Sequence, residues 1–215
     1  MAVSLATDGS ELRALRHPPG ESPYHVKGVA YRGHLEYVEA HLPGGVDAMK
    51  AAFDDPAVAA FFDQTFLAST FYDVMPLAHA GVICADLSGL PFFDFVKRRA
   101  IAQAESDIRG IYKWLLSVLS PRMVGSRLTK VLSQYLDYLE FELVESTPRR
   151  VIGRLKGIPP ELKGWQSAVF EAYYTHVFEM GGLTDFSIRY EDMKLHTSEE
   201  GRVSLDVGLV LEFGA

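Results

Sequence analysis

The amino-acid sequence predicts an α+β fold in which a helical N-terminal half packs on a four-stranded antiparallel sheet. Apolar residues recur every three or four positions over 108–119 and 124–139, which is the spacing of amphipathic helices. From Glu140 the period changes to two, which is typical of strands with one wet face. The order strand-strand-helix-strand-strand then favours helices on one face of the sheet.

The first half is divided by proline, glycine and acidic capping residues. Residues 1–25 are largely polar and predict a flexible lead-in, and one domain is predicted over 26–215. Residues 26–31 are predicted as a short strand. Helices bounded by capping or breaking residues are predicted over 34–41, 46–53, 56–66, 75–88 and 91–110.

The second half is predicted to contain two long helices, a strand pair, a third helix and another strand pair. Ser120-Pro121 is a cap followed by proline, and it divides the long helices 107–119 and 121–139. The helix between the strand pairs is predicted over 159–180. The strands are predicted over 140–145, 151–155, 186–190 and 203–213, and the alternation slips at Val144-Glu145.

Composition excludes several classes of protein. The chain has 215 residues, 48% of them hydrophobic, as is ordinary for a globular protein. A net charge of −7 argues against a nucleic-acid partner, which requires clustered Lys and Arg. The single cysteine, Cys84, lies in an apolar run and is predicted to be a buried small hydrophobe in a reducing compartment. Without a signal-peptide core or a membrane-length apolar run, we expect a cytoplasmic protein.

No catalytic or metal-binding pattern is found in the sequence. The seven histidines are scattered, and His34 and His41 lie two helical turns apart, too far to share one ion. The carboxylates concentrate at caps, turns and outward strand positions, and no serine lies in a nucleophile turn. We therefore predict neither an enzyme nor a resident metal or cofactor.

Aromatic residues gather between 112 and 178, and two interpretations stay open: a solid core, or an apolar cavity rimmed by tyrosine hydroxyls. In a cavity, His176 is the candidate polar anchor. Arg122 and Arg127 are either candidate partners of a ligand carboxylate or ordinary surface arginines. The predicted ligand-binding residues are Tyr112, Leu115, Leu116, Leu119, Leu128, Leu132, Tyr135, Phe141, Tyr173 and His176.

The element order resembles that of the haem nitric-oxide/oxygen-binding (H-NOX) domains and of the related vinyl-reductase-type small-molecule-binding domains. Val26-Lys27-Gly28-Val29 resembles the start of the haem domains. The segment from Phe92 to Phe141 is similar to a paralogous family of uncharacterised myxobacterial proteins. The resemblance covers residues 26–214 and implies a cavity between the helical half and the sheet half.

The chain departs from the haem domains at the residues that hold haem. Those domains ligate iron with a helical histidine placed before the long helices, whereas this chain has no histidine between His79 and His176. They hold the haem propionates with Tyr-x-Ser-x-Arg, and Met123-Val124-Gly125-Ser126-Arg127 supplies neither the tyrosine nor the serine in register. No haem-binding residue carries over from the resemblance.

The leading prediction is a haem-free, non-enzymatic sensory domain that binds a small hydrophobic ligand, such as a fatty acid, and signals to a protein partner. A second hypothesis is a protein-protein interaction module with a filled core. A third is a haem-based gas sensor with an unorthodox iron ligand among His79, His176 and Cys84.

Overall fold

The helices and strands confirm the α+β class in the residues that the computed structural model describes, 2–109, 132–198 and 202–214. The helices are α1 (Gly28–His41), α2 (Gly45–Ala51), α3 (Pro56–Phe61), α4 (Val74–Ser88), α5 (Phe92–Arg109) and α6 (Lys163–Met180). The strands are β1 (Ala2–Val3), β2 (His25–Lys27), β3 (Phe71–Asp73), β4 (Glu140–Ser146), β5 (Arg150–Ile158), β6 (Phe186–Thr197) and β7 (Val203–Phe213).

The main sheet is antiparallel with the strand order β1-β6-β7-β5-β4. Its last four strands and α6 follow the predicted β-β-α-β-β order, and β1 adds a fifth strand at the edge beside β6. Two residues carry no alternating pattern, so the sequence does not reveal β1. Strands β2 and β3 form a separate antiparallel pair. The slip predicted at Val144-Glu145 is confirmed by a shift of register between Leu143 and Glu145.

Local capping signals are confirmed at two of the helices. The Asp55 side chain accepts a hydrogen bond of 2.8 Å from Ala57 N, and Pro56 is the first residue of α3. Helix α4 ends before Gly89, which has a φ of 64° in the left-handed region that glycine tolerates.

The predicted strand over 26–31 is wrong beyond Lys27, because α1 begins at Gly28. A Cβ at Gly28 would lie 2.2 Å from the Leu67 carbonyl oxygen, so the chain turns where only glycine fits. Helix α3 ends at Phe61 rather than at 66, since Phe66 stacks on the buried ring of Tyr31 at a centroid distance of 4.1 Å. Tertiary packing overrides the helical pattern there.

The first residues differ from the predicted lead-in, because residues 2–24, here named the N-terminal strap, pack on both halves of the fold. Strand β1 pairs with β6, and Leu12 is buried with its carbonyl oxygen 2.7 Å from His79 Nδ1 of α4. Arg13 forms an ion pair of 2.7 Å with Asp86 of α4. A Cβ at Gly164 of α6 would lie 2.1 Å from Thr7 Oγ1.

In the part of the chain that the structure describes, no single helix is long and apolar enough to cross a membrane. Helices α4 and α5 reach that length and composition only as a pair, and the pair is bent by 110°.

Candidate functional site

A small apolar cavity of about 60 Å³ lies between α1, α5, the segment 132–136 and α6. The segment 132–136 is held in place where Leu136 pairs with Val26 of β2 and where Asp137 accepts a 2.8 Å hydrogen bond from His25 N. The cavity therefore has walls from both halves of the fold. The lining residues are Val26, Ala30, Arg99, Gln103, Leu132, Tyr135, Leu136, Trp165, Gln166, Val169, Phe170, Tyr173 and Tyr174.

Polar side chains enter these apolar surroundings along one face of α5. Arg99, Gln103 and Asp107 are four residues apart, so they form a row along the helix. Each is only 4% exposed. The same face carries the buried Phe95, Val96, Ala100 and Ala104. Buried charges are rare unless they are paired, so this row is the unusual feature of the cavity wall.

Asp107 is the acceptor of a hydrogen-bond cluster that joins three parts of the wall. It accepts bonds from Gln103 Nε2 at 2.8 Å and from Tyr173 OH at 2.9 Å, and a further bond from Tyr135 OH. Burial raises the pKa of Asp107, while the three donors and the charge of Arg99 oppose that rise. The cluster ties α5 to α6 and to the segment 132–136.

Arg99 lies beside the cavity with part of its hydrogen-bonding capacity unused. Its Nη2 donates a 2.6 Å hydrogen bond to the Ala30 carbonyl oxygen. Burial lowers the pKa of Arg99 to about 10, which leaves the guanidinium charged at neutral pH. Four buried side-chain atoms of the described residues have no hydrogen-bond partner: Arg99 Nε, Gln103 Oε1 and Tyr174 OH in the cavity wall, and His176 Nε2 outside it.

His34 lies fully buried in α1, with its Nε2 4.0 Å from the Sγ of the buried Cys84. Burial, and after it the charge of Arg99, lowers the pKa of His34 to about 3. Burial also raises the pKa of the Cys84 thiol to about 12, and the buried position predicted for Cys84 is confirmed.

We expect acid to destabilise the fold through His34. Between pH 3 and 6.5 the unfolded chain binds a proton at His34 that the folded chain excludes, so stability falls as the pH falls through 6.5. From pH 7.5 to 5 the loss is about 2 kcal/mol in the free energy of unfolding, measured by urea titration. H34M should lack this loss, whereas H17Q, at an exposed histidine, should keep it. Equal pH dependence of H34M and the unaltered protein would contradict the assignment.

The structure places three of the predicted ligand-binding residues, Leu132, Tyr135 and Tyr173, in the cavity wall. Phe141 is buried in β4, where its ring covers Gly153 of β5, and it does not line the cavity. His176 lines a surface groove between α5, α6 and β6, with its Nε2 3.6 Å from Glu105 Oε1. The predicted residues outside the described ranges are Tyr112, Leu115, Leu116, Leu119, Arg122, Arg127 and Leu128.

The sequence contains a pattern that indicates the polar row Arg99, Gln103 and Asp107, although the predicted site does not include these residues. Positions 92, 95, 96, 99, 100, 103, 104 and 107 form a stripe at helical spacing, and three of its eight members are polar. A polar row inside an apolar stripe indicates either a solvated edge or a buried network. The predicted site also omits Trp165, Val169 and Phe170 of α6, because the position of the cavity beside them depends on packing that the pattern does not encode.

The described part of the chain shows no group of three or more His, Cys, Asp or Glu side chains that could hold a metal ion. Lys97 and Glu171 form an ion pair of 2.8 Å that connects α5 to α6 in the surface groove that also contains His176.

Comparison of the structure with solved structures shows an H-NOX-like fold. A point mutant of the H-NOX protein from K. algicida, in the Fe(II) unliganded state, matches with a TM-score of 0.59 and 13% identity, over 88% of this chain and 97% of that chain. An oxygen-binding H-NOX domain related to soluble guanylate cyclases matches with a TM-score of 0.53 and 9% identity, over 88% and 95%. At these identities the likeness shows the fold alone.

A third match, to a structure that describes the molecular mechanism of H-NOX activation, has a TM-score of 0.52 and 10% identity, over 87% of this chain and 94% of that chain. No protein-family model matches the sequence, and no curated protein matches it. The predicted resemblance to the H-NOX fold is therefore confirmed by structure, not by sequence.

The residues around the cavity do not fit a haem. No histidine or cysteine is among the described residues that line it, and residues 110–131 contain neither residue type. Tyrosine can also ligate haem iron, as phenolate, but the hydroxyls of Tyr135 and Tyr173 donate to Asp107, and burial, which raises the pKa of Tyr173 and Tyr174, disfavours the phenolate form. A cavity of about 60 Å³ is also far smaller than the roughly 300–1,000 Å³ of typical ligand sites.

Proposed function

We propose that this chain is a haem-free, non-enzymatic sensory domain that binds a small hydrophobic molecule between its helical half and its sheet half. One observation carries the proposal: an apolar cavity bordered by buried polar side chains whose hydrogen bonds are incomplete. An unpartnered buried donor or acceptor costs about 1–3 kcal/mol, so filled cores seldom keep several together. A ligand with an apolar body and a hydrogen-bond-accepting head would satisfy the two unpartnered donors, Arg99 Nε and Tyr174 OH.

A fatty acid is the ligand class that we propose for this cavity. Its hydrocarbon chain matches the aliphatic and aromatic wall, and its carboxylate can accept hydrogen bonds from the two unpartnered donors, Arg99 Nε and Tyr174 OH. The small volume limits the length of the chain that enters without movement. A long acid would require α5 and α6 to separate. A ligand-dependent change in conformation of this kind is what a protein partner could detect.

Signalling would follow from the position of the cavity walls. Because α5 belongs to the helical half and α6 to the sheet half, a ligand that contacts both changes the free energy of their packing. We propose that a protein partner in the cytoplasm recognises the surface altered by this change.

Filling the cavity is expected to block uptake of ligand. Val169 is half-buried in α6 and lines the cavity, so V169F should occupy the space while retaining an apolar surface. The measurement is native mass spectrometry of the purified chain with added butanoate, hexanoate and hexadecanoate, beside an organic extract of the same sample. V46F, at a half-buried valine of α2 away from the cavity, is the matched control.

Binding of at least one acid by the unaltered chain and by V46F, with loss in V169F, is the expected result. Uptake that is equal in all three proteins would show that the ligand binds elsewhere. A haem adduct with a Soret band after addition of haem would overturn the haem-free part of the proposal.

A second candidate function, the interaction module with a filled core, is favoured by the small volume of the cavity. A site of about 60 Å³ is well below the roughly 150 Å³ of an engineered cavity that holds benzene. If native mass spectrometry shows no bound mass, the organic extract contains no ligand and no acid of the panel is taken up, the interaction module becomes the better assignment.

A further inference from the structure

We propose that Arg99 binds the carboxylate of a short-chain monocarboxylic acid, with the acid's hydrocarbon tail in the apolar cavity. This inference rests on the proposed function and names the chemistry of its ligand. It differs from the anchors predicted from sequence, Arg122, Arg127 and His176, because it places the anchor on α5. The geometry at Arg99 carries the inference.

The guanidinium of Arg99 has no carboxylate partner within the described ranges. Arg99 Nη2 donates to the neutral Ala30 carbonyl oxygen, and among the described residues Asp107 and Tyr135 influence the guanidinium only through space. Residues 110–131 contain no Asp or Glu. The acidic residues outside the described ranges, Glu199 and Glu200, belong to the connection between β6 and β7.

Asp107, the buried acid nearest in the row, is committed to other donors. Its two oxygens accept from Gln103, Tyr135 and Tyr173, so it offsets the charge of Arg99 through space rather than by direct pairing. A buried guanidinium without a direct counter-ion has a large desolvation cost. A ligand carboxylate at the unpartnered Nε would recover part of this cost through a charge-assisted hydrogen bond.

The cavity wall supplies a second hydrogen-bond donor and limits the length of the ligand's hydrocarbon chain. Tyr174 OH lines the same cavity, is buried, and has no partner among the described residues. Burial raises its pKa, so the hydroxyl keeps its proton and can donate to a ligand oxygen. The remaining lining is mostly Leu, Val, Phe and Trp, which favours an alkyl group over an inorganic anion. The small volume favours a short alkyl chain.

The test compares two ligands that have similar short alkyl chains but differ in the polar group, which is a carboxylate in one and a hydroxyl in the other. Isothermal titration of the unaltered chain with butanoate and with 1-butanol should give at least tenfold tighter binding of the acid, which corresponds to about 1.4 kcal/mol. In R99M the acid and the alcohol should bind within about twofold of each other. R98M removes an exposed arginine from the neighbouring position of α5 and should keep the preference for the acid.

The comparison of butanoate with 1-butanol on the unaltered chain needs no variant, so it can overturn the role of Arg99 even where R99M does not fold. Equal affinity for butanoate and 1-butanol would overturn the role of Arg99 while the cavity still binds ligand. Phosphate or chloride competing as well as butanoate would overturn the assignment to carboxylic acids. If neither butanoate nor 1-butanol binds, and longer acids also fail, the proposed function itself is wrong.

Discussion

Replacing Asp107 with alanine is expected to lower the free energy of unfolding by about 4 kcal/mol, the largest loss that we predict for a single polar residue. The carboxylate accepts from Gln103 Nε2, Tyr135 OH and Tyr173 OH, and it is 4% exposed. Alanine leaves these donors without an acceptor and removes the charge that offsets Arg99. Urea denaturation followed by circular dichroism gives the measurement.

Two further variants separate the role of the cluster from a general effect of altering α5. D94A changes an exposed acid in the first turn of the same helix and should cost less than about 1 kcal/mol. Y173F should cost less in the D107A background than alone, because the bond that it removes is already lost. A loss below about 1 kcal/mol in D107A would mean that water replaces the carboxylate without cost, and that the cluster does not hold α5 to α6.

Replacing Asp73 with asparagine is expected to cost about 3 kcal/mol and to release the N-terminal strap. Asp73 Oδ1 accepts from Met75 N at 2.8 Å, which caps α4, and also from Ser22 Oγ. Its Oδ2 accepts from the backbone nitrogens of Gly20 at 2.9 Å and Ser22 at 3.2 Å. The asparagine amide has only one acceptor oxygen. Its NH₂ group would therefore face either Met75 N and Ser22 Oγ or the backbone nitrogens of Gly20 and Ser22, and those donors would lose their acceptor.

The matched control is D55N, which alters the exposed cap of α3, where Asp55 accepts from Ala57 N. Asparagine caps helices nearly as well as aspartate, so D55N should change stability by only a few tenths of a kcal/mol. Limited proteolysis supplies the second measurement: cleavage within residues 2–24 should accelerate in D73N and stay unchanged in D55N. Unchanged cleavage in D73N would mean that other contacts, such as β1 with β6, hold the strap without Asp73.

The proposed function depends on features that connect the two halves of the chain. The Asp107 cluster joins α5 to α6 beside the cavity, and the strap contacts α4, α6 and β6. Ligand binding in the cavity would act on the first of these connections directly. If the strap also responds, D73N should alter the affinity for butanoate as well as the stability, which the titration above can measure.

Features that depend on neighbouring residues were predictable from the sequence. The Asp55-Pro56 start of α3 and the glycine end of α4 at Gly89 follow from backbone geometry that short sequences encode. The alternation of β7 and the slip at Val144-Glu145 follow from the two-residue period of strands, and the register confirms both. The same signals establish the α+β class and the order of the C-terminal strands.

The candidate site was predictable only in part. Leu132, Tyr135 and Tyr173 belong to apolar stripes, and they line the cavity because such stripes face the interior. The sequence around Arg99 leaves a solvated helix edge and a buried network as alternatives, and the first is the more common because a charged side chain is seldom buried. Its burial depends on the positions of Ala30 and α6, which are distant in sequence.

The sequence by itself determined the α+β class, the capped start of α3, the glycine end of α4 and the order of the C-terminal strands, since capping, proline and periodicity act within a few residues. Only the tertiary structure decided that β2 ends at Lys27 and α1 begins at Gly28, that β1 joins the sheet beside β6, and that Arg99 and Asp107 are buried. These outcomes arise from contacts between residues far apart in the chain. Such contacts can override local preference, because the free energy of burial and hydrogen bonding in the assembled core exceeds the small differences between local conformations.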